Sequence, residues 1–168
     1  FFPDAESGPE DILDGDEEGF VKYWLVLGPL SAEKEFAGAA EIAAPRLPEE
    51  ARLRPRPDER VKVKGREFAW RRYRSSDFAI DFRKAFEGER GDDVLGYAVC
   101  YLHSSEERRD VKLFTGSNDQ GKVYLNGRAV FAHDKPRSLK KDHAVVAGLT
   151  LLKGENVVVF KVANEKGA

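Results

Sequence analysis

The sequence is expected to fold as an all-β protein, an antiparallel β-sandwich or jelly roll, and three observations lead there. Residues 116–131 read GSNDQGKVYLNGRAVF, with Asn126-Gly127 between two short apolar-alternating runs. That is the strongest local hairpin signal, because a type I′ turn needs positive φ at both central residues and Asn and Gly tolerate it. The other apolar runs are equally short and are separated by Gly, Asn, Asp and Ser clusters. Nothing between them is long or periodic enough to supply the crossover helices of a βαβ fold.

The elements follow in order. Residues 1–19 carry Asp4, Glu6, Glu10, Asp11, Asp14, Asp16, Glu17 and Glu18 without a Lys or Arg, the composition of a solvated acidic arm. Residues 20–168 are then expected to form one sandwich domain, because two halves of that length would each bury too little. FVKYWLVL, Phe20 to Leu27, is rich in aromatic and β-branched residues and should be a first strand ended by Gly28-Pro29. Ser31 to Ala44 allows a short helix, weakened by Gly38 and ended by Pro45. Pro45, Pro48, Pro55 and Pro57 make the next stretch a long, irregular Pro/Arg-rich loop.

Phe68 to Tyr73 and Phe78 to Phe82 read as strands separated by Arg74-Ser75-Ser76-Asp77, with Phe78, Ile80 and Phe82 on one buried face. A charged loop, Glu87 to Asp93, leads to Val94 to Leu102, apolar on both faces as an interior strand of a covered sheet should be. Leu95, Tyr97, Val99 and Tyr101 share one face, and Val94, Ala98, Cys100 and Leu102 the other. Strands are expected at Val111 to Thr115, Ala144 to Leu152 and Asn156 to Val162, beside the Gly121 to His133 hairpin. The Lys153-Gly154-Glu155-Asn156 turn should make the last two strands a hairpin as well.

Charge and composition exclude several classes. The net charge is −2. The basic stretch from Arg46 to Arg74 is broken by Glu49, Glu50, Asp58, Glu59 and Glu67, with neither the density nor a motif for nucleic acid. No apolar run is long enough to cross a bilayer. Cys100 stands alone, so an intrachain disulfide cannot form, and its setting in VLGYAVCYL is that of a buried thiol. The sequence has no Met and begins at Phe1, which is expected of a piece of something longer and leaves secretion unread.

The string GSNDQGKVYLNGRAVF, followed by VAGLTLLKGENVVVFKVANEKG, resembles the galactose-binding-domain-like β-sandwich modules attached to bacterial glycoside hydrolases and large secreted proteins. Those modules share a Gly-Ser-Asp-Asp-like turn, a strand ending in Leu-Asn-Gly, and a Leu-x-x-Gly-x-Asn turn into the last core strand. WLVLGPL and LGYAVCYLHS sit where they have a first strand and a central Tyr-rich strand. Here Asn118 stands where the pattern more often has Asp, and Tyr124 where it often has Trp. The resemblance covers most of Phe20 to Gly167 and implies an extracytoplasmic accessory module. Some members bind sugars through loops at one end of the sandwich, and others only support a neighbouring catalytic domain.

Catalysis has thin support in the residues. Asp77 with Asp81, or Asp92 with Asp93, are carboxylate pairs at loops, common in a chain with 30 acidic residues, and no enzyme activity is expected from them. His103, His133 and His143 lack zinc-type spacing, and Cys100 has no adjacent base. Ser117-Asn118-Asp119 could hold a structural calcium through loop oxygens, although Asn and Asp also belong there as turn formers; no other cofactor is expected. Carbohydrate is the expected ligand class, held by a flat ring face with a few orienting polar groups. Trp70, Tyr73 and Tyr124 are the aromatic candidates, with Asn118, Asp119 and Arg128 as polar partners; Trp24 is expected in the core. The alternative is a structural or protein-interaction sandwich that packs against neighbouring domains and binds no glycan.

Overall fold

A computed structural model describes residues 19–86 and 92–165. Most of the expected acidic arm, part of the charged loop after Phe86 and the last three residues lie outside the described residues. The protein is all-β with antiparallel sheets, consistent with a sandwich. Ten strands form: β1 Tyr23–Ser31, β2 Arg60–Val63, β3 Arg66–Ala69, β4 Arg71–Arg74, β5 Val94–Ser104, β6 Arg108–Thr115, β7 Gln120–Leu125, β8 Arg128–His133, β9 Ala144–Leu151 and β10 Gly154–Asn164. Two short helices, α1 Gly38–Ala43 and α2 Phe82–Ala85, and a 3-10 turn at Glu50–Arg52 complete the described elements.

Six strands form the main sheet in the order β4-β1-β5-β10-β7-β8, while β2-β3 and β6-β9 are separate two-stranded ribbons. β5 and β10 lie at its centre, paired along their full lengths from Gly154↔Ser104 to Asn164↔Val94. Because side chains alternate across a strand, this pair builds two cores. On one face Leu25, Leu27, Leu95, Tyr97, Val99 and Val159 pack against Ile42, Leu47 and Trp70 from the segment carrying α1, the 3-10 turn and β2-β3. On the other, Val26, Ala98, Cys100, Val123 and Val158 are covered by Phe86, Ile80 and Phe82 and by Leu113, Leu149 and Leu151 of β6-β9. Each fully buried Leu or Val contributes about 1.5–3 kcal/mol, so the two-faced apolar pattern of β5 is what commits the sheet to being covered on both sides.

Four expectations need correction. β1 does not stop at Gly28-Pro29 but continues to Ser31, with its register against β5 shifted between Leu27 and Leu30. Pro29 cannot donate to the ladder, and a bulge absorbs it. Gly28 has φ 142°, and a Cβ there would come within 2.9 Å of the Leu95 carbonyl oxygen, so only glycine fits.

The expected strand Phe68 to Tyr73 is two strands, β3 in a ribbon with β2 and β4 on the edge of the main sheet. Trp70 is the corner between them: its amide donates to the Glu59 carbonyl at 2.9 Å, and its own carbonyl accepts from the Asp58 amide at 2.8 Å. Phe78 to Phe82 is not a strand. The Ser75 hydroxyl closes a bend onto the Asp77 and Ala79 carbonyls, and the Asp81 carboxylate caps α2 through the Arg83 and Lys84 amides. These local bonds outcompete a ladder, and Phe78 is left exposed.

The last two strands are not a hairpin either. β9 pairs with β6, and β10 pairs with β5 and β7, so the Lys153-Gly154 turn carries the chain between sheets. Asn156, fully buried, holds that corner by accepting from the Leu152 amide and donating to the Leu152 carbonyl, both at 2.8 Å. The Asn126-Gly127 hairpin, in contrast, forms between β7 and β8 with positive φ at both residues.

Candidate functional site

The candidate residues do not converge on one place. Trp70 is 2 % exposed and sits in the core, so its ring face is closed to a sugar. The exposed arginines that follow it belong to the edge strand β4, which begins one residue later. Tyr73 is half-buried on β4, its hydroxyl accepting from the Asp81 amide at 3.2 Å. Tyr124 is 7 % exposed, also in the core. Arg128 is exposed at the start of β8, whereas Asn118 and Asp119 precede β7. The six residues of β7 put Arg128 about 20 Å from that turn at 3.3 Å per residue. β4 is four strands from β7, roughly 19 Å at 4.8 Å per strand, so Trp70 and Tyr73 cannot share a small ligand with Asn118 and Asp119.

What occupies Tyr124 is a buried ionic hub that sequence reading missed. The Lys161 ammonium, at the middle of the interior strand β10, donates to Glu50 Oε2 at 2.9 Å and to the Ala44 carbonyl at 2.6 Å. The same carboxylate oxygen accepts from the Tyr97 hydroxyl at 2.6 Å and the Arg46 amide at 3.0 Å, while Oε1 accepts from the Tyr124 hydroxyl at 2.7 Å. Burial alone would raise the Glu50 pKa, yet the Tyr97, Arg46 and Lys161 donors outweigh it and hold the carboxyl below its ordinary value. Burial lowers the Lys161 pKa, with Glu50 only partly opposing it. Burial first, then the charge of Glu50 and the hydrogen bond to it, pushes the Tyr97 and Tyr124 phenols upward. With four donors on it, Glu50 has little capacity left for a substrate proton; the hub ties the 3-10 turn to the sheet. Its signal was legible: a Lys between Phe160 and Val162 in VVVFKV must either break the strand or find a buried carboxylate.

Asn118 and Asp119 belong to a second polar assembly at the end of the sheet where β7 begins and β10 ends. Asp119 adopts φ 52°, its amide donates to the Arg137 carbonyl at 2.7 Å, and its carboxylate accepts from the Glu165 amide at 2.9 Å. Glu165 in turn accepts from the Gly38 amide at the start of α1. The Ser117 hydroxyl donates to the Asp119 carbonyl at 3.1 Å and accepts from the Arg137 guanidinium at 3.0 Å. Asn118, half-buried, reaches Asn164 at 3.4 Å. The loop therefore brings Asn118 and Asp119 together with Arg137, a residue that sequence reading did not single out.

This donor set does not fit calcium. Asp119 is already engaged by a backbone amide, and a guanidinium sits against the Ser117 oxygen where a cation would have to be. Among the described residues no group of three or more His, Cys, Asp or Glu could hold a metal ion. His103 and His143 are exposed and His133 ends β8. Cys100 is buried, and burial pushes its thiol up to about 12, far from a reactive thiolate.

Polar bookkeeping singles out the same end. Among the described residues the buried side-chain polar atoms without a partner are Gln120 Oε1, His133 Nε2 and Arg137 Nε, and all three flank the beginning of β7. Gln120 is packed so closely on α1 that a Cβ on Gly38 would fall 2.1 Å from its Oε1. Gln120 thus faces α1, whereas His133 and Arg137 lie on the opposite face of the sheet with Phe131; an unpartnered buried polar atom in a native fold calls for an explanation, a ligand among them. No protein-family model matches the chain, and no curated protein matches it.

Proposed function

We propose that this chain is a non-catalytic β-sandwich module, of the galactose-binding jelly-roll kind, that serves a larger extracytoplasmic protein by binding carbohydrate at the end of its sheet. The supporting observation is the convergence of Asn118, Asp119 and Arg137 on one braced turn, where Arg137 Nε and His133 Nε2 are unpartnered. Recognition there is by hydrogen bonds and charge, since Trp70 and Tyr124 have no ring face to offer. A tethered module of this sort acts by raising the local concentration of its neighbouring domains at a polymer. Glycan-array screening followed by calorimetry on the 168-residue chain tests it: a glycan should bind and Asn118→Ala should weaken it. Binding that survives both Asn118→Ala and Arg137→Gln unchanged would place the site elsewhere.

A second reading, a structural or protein-interaction domain, is favoured by Phe114 and Val145. They face each other across β6 and β9 and are 54 % and 53 % exposed, an apolar pair on the solvent side of the β6-β9 ribbon. An array without any binder would favour this reading.

A further inference from the structure

We infer that the cationic corner formed by Arg137, Lys140, His143 and His133 over the Gly116-Ser117 turn is an oxyanion site, whose occupant is the sulfate or carboxylate group of an acidic glycan. The choice of glycan as the carrier rests on the carbohydrate reading above; the anion site itself rests on the geometry.

The segment joining β8 to β9 contains Lys135, Arg137, Lys140 and Lys141 against Asp134 and Asp142, an excess of two positive charges before either flanking histidine is counted. It is laid directly on the turn. A Cβ on Gly116 would fall 2.5 Å from the Lys140 carbonyl oxygen and 3.4 Å from His143 Cβ, so glycine is what allows the approach. Arg137 is held at both ends, its carbonyl by the Asp119 amide and its guanidinium by the Ser117 hydroxyl, with the guanidinium carbon 5.6 Å from the Phe131 ring centre. The cation is thereby fixed before any ligand arrives.

The described residues supply it with no counter-charge. Among the described residues Arg137, Lys140, His133 and His143 have no carboxylate within ion-pair distance, in contrast to Arg46 on Glu41 and Lys161 on Glu50. Arg137 Nε and His133 Nε2 are also without hydrogen-bond partners. Desolvation and then the positive charges of Arg137, Lys140 and His133 hold the His143 imidazole below its ordinary pKa. A fixed, partly desolvated guanidinium with like charges around it is unfavourable until an oxyanion accepts from it, and its planar fork matches carboxylate or sulfate. Asn118 lies on the same turn, its amide 3.4 Å from the Asn164 side chain.

The test titrates the full chain with a chondroitin sulfate oligosaccharide, a neutral cello-oligosaccharide, inorganic sulfate and a single-stranded oligonucleotide, by calorimetry and by NMR of the histidine side chains. The sulfated oligosaccharide is expected to bind best, to weaken as salt rises, and to raise the His143 pKa. Arg137→Gln and His143→Gln should each weaken it roughly tenfold or more, and Arg128→Gln at the far end of β7 should not. His143 is exposed, so its variant keeps the test valid should Arg137→Gln disturb the turn. Equal affinity for the neutral sugar overturns the anion site while leaving carbohydrate binding standing. Sulfate binding that depends on Arg137, with no glycan bound, removes the glycan occupant and the carbohydrate reading together. Equal affinity for the oligonucleotide overturns the glycan assignment, and no binding by any of the four overturns the proposal.

Discussion

The Lys161 ammonium lies 2.9 Å from the Glu50 carboxylate, and both side chains are almost wholly out of water, at 0 % and 3 % exposure. A buried ion pair of this kind is weak evidence for net stability, because desolvating two charges costs about as much as their attraction returns. Its consequence is asymmetric: losing one partner is far worse than losing both. Glu50→Gln should therefore destabilise the protein by about 3–5 kcal/mol, and Glu50→Gln combined with Lys161→Met should be more stable than Glu50→Gln alone. Urea denaturation of the wild type, both single variants and the double variant measures this; a strictly additive cycle would show that the two charges do not interact.

Acid sensitivity should follow from the same carboxylate. The folded-state pKa of Glu50 lies below its ordinary 4.5, so the folded state binds fewer protons than the unfolded chain in the window beneath that value. The sign follows from linkage: this stability is present above pH 4.5 and is lost as pH falls through the folded pKa. The slope of unfolding free energy against pH below 4.5 should be shallower in Glu50→Gln than in the wild type.

Trp70 separates folding from binding. Trp70→Ala removes a core side chain at the corner between β3 and β4 and should cost about 3–5 kcal/mol, read as a lower denaturation midpoint. Tyr73→Phe removes only the hydroxyl that accepts from the Asp81 amide and should cost about 1 kcal/mol. Neither should change the affinity of the remaining folded protein for a glycan.

The hairpin that announced the fold has a second attachment. Asn126 donates to Asn156 Oδ1 at 2.8 Å and accepts from the Val157 amide at 2.9 Å, fixing the β7-β8 tip onto the corner where the chain leaves β9. Asn156→Ala leaves the Leu152 amide and carbonyl of that corner without their side-chain partner and should destabilise by about 1–3 kcal/mol. Hydrogen exchange should then speed up at Leu152 and Val157 before it does at β5; uniform acceleration across the sheet would show that the corner is not a local lock.

Much of the fold was legible because its signals are local. The Asn126-Gly127 turn, the two-faced apolar strand at Val94 to Leu102 and the short helix before Pro45 each depend on a few neighbouring residues, and each formed. The misreadings share a different cause. Phe68 to Tyr73 split at Trp70, and Leu152 to Val157 changed sheets, because which ladder a strand joins is decided by distant partners. Phe78 to Phe82 failed because the Ser75 and Asp81 side chains closed bends that period-two spacing does not register. Of the candidate site, Asn118 and Asp119 could be picked out as turn residues with free polarity. Arg137 could not, since the turn that brings it to Ser117 is made across 20 residues. Trp70 and Tyr124 looked available because an aromatic in a strand carries no mark of which face will be covered.

Ligand is expected at the turn preceding β7 and the segment before β9, and nowhere near the aromatic candidates. Backbone amide NMR of the full chain, titrated with the glycan selected from the array, tests it most directly. Shifts should concentrate at Gly116 to Asp119 and Arg137 to His143, with Trp70, Tyr73 and Arg128 unmoved. Shifts centred on β4 or on the Asn126-Gly127 tip, with the Gly116 turn silent, would contradict it.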